Sequence, residues 1–121
     1  MYSIAIGTAK GILYLHEECV NHILHCDIKL HNVLLDANFF PKVVDFGLAK
    51  ISKREESHIS VAHGGTLGYA APETWSRLYG PVIDKCDVYN YGMLIMEMVG
   101  GRKNIDLDNI ESRSNKCGVG F

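Results

Sequence analysis

Between Ile83 and Gly101 the chain carries apolar side chains on nearly every face of what their spacing makes a helix. Val88, Tyr91, Ile95, Met98 and Val99 fall on one face with Gly92, while Leu94 and Met96 lie on others. A helix with so little polar surface belongs at the centre of a fold, so other elements must pack around it. Asp84 is a good N-cap residue, Ile83 and Val88 are placed as a hydrophobic staple, and Gly100-Gly101 supplies the stop.

A second helix is expected from Tyr2 to about Glu18, with Tyr2, Ala5, Ile6, Ala9, Ile12, Leu13 and His16 as its buried stripe. Gly7 and Gly11 weaken it by about 1 kcal/mol each relative to Ala, and they also let another element come close. Val33-Leu34-Leu35 and Lys42-Val43-Val44 are strand-sized and read as a small hairpin turning at Asp36 to Asn38. Ile51 to His63 is polar and without periodicity, which reads as a loop continued by Gly64 to Gly68.

The 121 residues allow one small domain or part of a larger one. With 47% hydrophobic and 21% charged residues the composition is that of an ordinary globular protein, and disorder over most of the chain is not expected. A net charge of -2 gives no general attraction to nucleic acid or acidic membranes. No apolar run reaches the ~18 residues needed to span a bilayer, and no basic n-region follows Met1, so a soluble chain without its own membrane contact is expected. Four cysteines are too sparse for a disulfide scaffold and are expected to stay reduced. Cys19, His22, His25 and Cys26, with His16 and His31 nearby, are the densest group of soft ligands. They lack a CxxC or HxxxH anchor, and adjacent His25 and Cys26 aim poorly at one ion, which argues against zinc there.

Three segments in fixed order carry the chemistry: His25-Cys26-Asp27-Ile28-Lys29-Leu30-His31-Asn32, then Asp45-Phe46-Gly47, then Ala71-Pro72-Glu73. With Asp87-Val88-Tyr89-Asn90-Tyr91-Gly92 they resemble the catalytic domain of eukaryotic protein kinases, especially plant receptor-like serine/threonine kinases. The resemblance covers roughly residues 1–100, leaving 101–121 as an irregular tail. It implies an α+β, mostly α, partial C-terminal lobe with a small hairpin and a central buried helix.

The implied activity is transfer of the ATP γ-phosphoryl group to serine or threonine of a protein substrate, with Mg²⁺ as cofactor. In that reading Asp27 takes or orients the proton of the attacking hydroxyl, and Lys29 stands near the transferring phosphate. Asn32 and Asp45 offer the oxygen donors that suit Mg²⁺, and Leu34 forms the floor under the adenine. The three polar residues Asp27, Asn32 and Asp45 are expected to converge. Lys29 and the Gly65–Tyr69 run fit the serine/threonine class, with Thr66 tying the substrate-side loop to Asp27 and Lys29. His25, Phe46, Gly47, Glu73 and Asp87 are expected as structural support, Asp87 bracing the catalytic loop. Taken singly, plainer roles compete: Asp27, Asn32 and Asp45-Phe46-Gly47 as turn residues, Lys29 as a solvated charge, Asp87 as a helix-dipole partner. The ordered set favours the kinase reading.

Departures also carry information. Cys26 stands where many kinases have an arginine that pairs with an activation-loop phosphate, so switching through that position is not expected. Leu30 replaces a common proline. The glycine-rich phosphate loop, the strand lysine and its glutamate partner are absent from these residues, as is the arginine partner expected for Glu73. The chain alone is therefore expected to be inactive or nearly so. Competing readings are a non-catalytic module that pairs with a full-length kinase, and a degenerate gene fragment. By resemblance, this part sits in the cytosol while full-length relatives sit at the plasma membrane.

Overall fold

The computed structural model describes residues 2–52 and 65–101. The tail after Gly101, with Cys117, lies outside the described residues, as does most of the Ile51–His63 segment. Helix α1 spans Tyr2–Leu13 and runs directly into a wider π-helical turn, Tyr14–Glu18. The helical stretch thus reaches Glu18, and its buried face is Thr8, Ile12, Leu15 and His16, which shares only Ile12 and His16 with the expected stripe. Tyr2 and Leu13 face solvent. Thr8 can be buried because its hydroxyl donates to the carbonyl of Ile4 at 2.8 Å. Leu15 lies seven residues after Thr8 and so shares its face, whereas Leu13 points about 100° away from Ile12.

Strand β1 (His22–Leu24) leads into the segment 25–32, which ends in a 3₁₀ turn, Leu30–Asn32. The expected hairpin is present as β2 (Val33–Leu35) and β3 (Pro41–Val43), with Val33 opposite Val43 and Leu35 opposite Pro41. Asp36 makes its turn: the carboxylate accepts N–H groups of Asn38 at 2.8 Å and Phe40 at 2.9 Å. Strand β4 (Lys50–Ser52) pairs antiparallel with β1, a second two-stranded sheet in a stretch whose sequence reads as loop. Gly7 lets β3 approach α1, since a Cβ there would lie 2.5 Å from the Pro41 ring.

Helix α2 (Pro72–Trp75) is a single turn with Pro72 in its first positions, where the missing N–H costs nothing. Helix α3 spans Lys85–Gly100 and ends where Gly101 turns left-handed (φ 63°), its N–H reaching the carbonyl of Glu97 at 2.9 Å. Asp84 precedes it but makes no side-chain cap, and Val88, expected in a staple, is half-exposed. The helix is also not buried all round within this chain: Tyr89, Met96 and Val99 face outward. Its buried face is Cys86, Asp87, Asn90, Leu94 and Glu97. No described helix is long and apolar enough to cross a membrane.

Two apolar clusters fill the interior. One holds Leu24, Cys26, Ala71, Val82 and Cys86, and the other Ile12, Ile28, Tyr69 and Leu94. The segment after β1 threads between them, sending Cys26 into the first and Ile28 into the second. Asp27 is held between those two anchors.

Candidate active site

Cys26 adopts a left-handed backbone (φ 68°), which costs a non-glycine residue about 1–2 kcal/mol. Asp87 of α3 compensates. Its fully buried carboxylate accepts the N–H of Cys26 at 2.8 Å, the N–H of His25 at 2.9 Å and the Nε2–H of His16 at 2.7 Å. A carboxylate only accepts, so the tautomer of His16 is set by this contact. The His25 ring is fixed in the same way: Nδ1 accepts the N–H of Asp27 at 3.1 Å, leaving Nε2–H to donate to the carbonyl of Val44 at 2.9 Å. His25 thereby joins the loop of Asp27 to the residue before Asp45.

Four of the expected residues come together around one carboxylate. The Thr66 hydroxyl donates to Asp27 Oδ1 at 2.7 Å, and Lys29 Nζ donates to the same hydroxyl at 2.9 Å. Lys29 Nζ stands 3.8 Å from Asp27 Oδ2. Asn32 Nδ2 donates to the carbonyl of Asp27 at 2.9 Å and to its Oδ2 at 3.3 Å. This orients the Asn32 amide, its nitrogen toward Asp27.

Asp45 is joined to this group through the backbone. Val44 N–H donates to the carbonyl of Asn32 at 2.9 Å, and Asp45 follows in a left-handed conformation (φ 61°). Its exposed carboxylate accepts the N–H of Gly47 at 3.2 Å, and among the described residues it makes no hydrogen bond to Asp27 or Asn32. Phe46, expected as structural support, packs edge-on against His25 with ring centres 4.9 Å apart and is half-exposed. Leu34 is half-exposed, on the face of β2 opposite Val33 and Leu35. Glu73 occupies the first turn of α2.

Sequence reasoning took Tyr69 and Asn90 only as members of longer runs and gave Glu97 no role. Asn90 Nδ2 donates to the carbonyl of Tyr69 at 2.6 Å, and the Tyr69 hydroxyl donates to the Glu97 carboxylate. Burial first, then the bond to Glu97, pushes the Tyr69 phenol up to about 12. The segment carrying Thr66 is thus fastened to the same helix as the loop carrying Asp27. A signal did exist: Asp87, Asn90 and Glu97 are polar residues three and seven apart, hence on one face of a largely apolar helix.

A protein kinase domain model matches residues 1–118. The chain belongs to the protein kinase domain family. A G-type lectin S-receptor-like serine/threonine-protein kinase of Arabidopsis thaliana is 57% identical over 106 residues, 88% of this kinase-domain chain and 12% of that protein. The rust resistance kinase Lr10 of Triticum aestivum is 54% identical over 107 residues, again 88% of this chain and 17% of the relative. The leaf rust 10 disease-resistance locus receptor-like protein kinase-like 2.2 of Arabidopsis thaliana is 52% identical over 118 residues, 97% of this chain and 19% of its own length. The kinase-domain chain therefore spans about an eighth to a fifth of the length of these plant kinases, two of which are named as receptor-like.

Proposed function

We propose that this chain is the catalytic-loop portion, from the C-terminal lobe, of a serine/threonine protein kinase that moves the γ-phosphoryl group of ATP to a protein hydroxyl. The observation that carries the reading is the hydroxyl–carboxylate–ammonium group of Thr66, Asp27 and Lys29. Asp27 already accepts a hydrogen bond from a hydroxyl at 2.7 Å, the contact from which it would orient or take the proton of a substrate serine or threonine. Lys29 places positive charge beside that oxygen, where the incoming phosphoryl group carries negative charge.

The donor set also fits a magnesium nucleotide. Asn32 contributes an amide oxygen and Asp45 an exposed carboxylate, hard oxygen ligands of the kind Mg²⁺ prefers. When bound, the ion neutralises phosphate charge and orients the transferred group. Leu34 is the apolar residue for the adenine. His25, Phe46, Gly47, Glu73 and Asp87 hold the shape of the site, with Asp87 supporting the strained backbone at Cys26. The substrate is a protein serine or threonine, and the setting is the cytosolic side of a receptor-like protein.

The residues that grip the α/β-phosphates in the family are not among these 121, so the chain alone is expected to turn over little or no ATP. The test grafts the chain in place of the matching segment of the Arabidopsis relative at 57% identity and measures ATP-dependent phosphate transfer. Activity is expected in the graft and should fall at least about a hundredfold with Asp27→Asn. A folded graft whose activity ignores that change would end the proposal.

A further inference from the structure

Behind the catalytic loop, where α1 ends and α3 begins, two histidines six residues apart meet a carboxylate from far along the sequence. His16 comes from the π-helical turn, His22 from the start of β1, and Asp84 from the residue before α3. One potential ligand atom from each lies within 4.8 Å of the others. The rings of His16 and His22 stand edge to face with centres 5.4 Å apart, and His22 Nε2 is 3.9 Å from Asp84 Oδ2.

Two details distinguish this cluster from a chance meeting of polar groups. His22 Nε2 is buried yet has no hydrogen-bond partner, an arrangement that costs free energy unless something else fills the position. His16 gives its Nε2–H to the buried Asp87 carboxylate, which leaves the lone pair of the ring on Nδ1. A carboxylate holding the far nitrogen of an imidazole is the usual support behind a metal-binding histidine, because it fixes the tautomer and raises the ring's basicity. Asp84 makes no helix cap, so its carboxylate is available for another task.

We propose that His16, His22 and Asp84 form a binding site for a zinc-class divalent transition metal, separate from the site around Asp27. Two imidazoles and one carboxylate suit zinc or cobalt and not magnesium or calcium, which take all-oxygen sets. Ligands on a tetrahedral zinc ion lie about 3.4 Å apart for bonds of about 2.1 Å. Closing His22 on Asp84 from 3.9 Å needs a movement of about half an ångström, and a pair at the 4.8 Å limit of the cluster would close by about 1.4 Å. The fourth position is left to water. The bound ion would join the end of α1, the start of β1 and the start of α3, the three elements on which the loop of His25 and Cys26 rests. This group differs from the Cys19, His22, His25 and Cys26 set suggested by sequence density. His25 has both ring nitrogens engaged, and among the described residues no cysteine joins a ligand cluster. The assignment does not depend on the proposed kinase activity.

The test is a Co²⁺ titration of the 121-residue chain followed by visible absorption, with Zn²⁺ added afterwards as competitor. The expected result is a one-to-one complex with the strong visible bands of a four-coordinate ion, no thiolate-to-cobalt charge transfer, and displacement by Zn²⁺. His22→Gln and Asp84→Asn, each with the circular dichroism of the parent, should weaken binding about tenfold or more. Absence of the bands would overturn the assignment. So would bands that persist in denaturing urea, or that are equally strong in both variants.

Discussion

Removing the Asp87 carboxylate is expected to cost more stability than any other single polar change at the site. The side chain is fully buried and accepts from His16, His25 and Cys26 at 2.7, 2.9 and 2.8 Å. Asp87→Ala strands three donors in a place water does not reach, and it leaves the left-handed turn at Cys26 unsupported. Loss of one partner from such a buried charged group costs about 3–5 kcal/mol. Asp87→Asn keeps the shape and one good acceptor oxygen, but it turns an NH₂ toward a donor, so about 1–3 kcal/mol is expected. The assay is urea unfolding followed by far-ultraviolet circular dichroism, with His16→Gln alone and combined with Asp87→Asn. Contacting groups of this kind should couple by about 0.5–3 kcal/mol in the double-mutant cycle. An Asp87→Ala cost of about 0.5 kcal/mol, the size of an ordinary surface change, would refute the bracing argument.

Tyr69 should shape the alkaline limb of stability. Folding favours its neutral phenol, so its contribution is complete below its ordinary value of 10.0 and is lost as pH rises toward about 12. Tyr69→Phe should flatten that limb in urea midpoints measured across this range. Gly7→Ala should destabilise, because the new methyl meets Pro41 at 2.5 Å and overpacking costs about 1–3 kcal/mol. Gly92→Ala, with nothing within 4 Å, should instead stabilise by about 0.5–1 kcal/mol, and thermal melts of the two variants should move in opposite directions. Cys86 is fully buried beside Cys26, and that contact, followed by burial, raises its thiol well above the usual range. Alkylation followed by peptide mapping should label the half-buried Cys19 before Cys26 or Cys86.

The parts of the fold legible in the sequence are those whose causes are local. The turn at Asp36 follows from one side chain bonding its own backbone, and the end of α3 from a glycine free to turn left-handed. Strand β4 was hidden because it is three residues long and pairs with β1, whose paired residues lie between 26 and 30 positions away in the sequence. The buried face of α3 was misread for a related reason. Apolar spacing favours Val88 and Val99, whereas the observed face is selected by distant partners: His16 for Asp87 and Tyr69 for Asn90 and Glu97. In the site, Asp27, Lys29, Asn32 and Thr66 were legible as a motif set, whereas the bond from Val44 to Asn32 that ties in the segment of Asp45 is a backbone contact that no side-chain motif announces.

Helix α3 has a consequence for how the site can tolerate change. Asp87 fixes one segment and Asn90 the other, three residues along at about 1.5 Å per residue. The gap between the two segments is therefore a length marked off on a single rod, and tilting that rod carries both together. Adding one residue between those marks would swing the second fastening about 100° around the axis and unhook it, even with every side chain of the site retained.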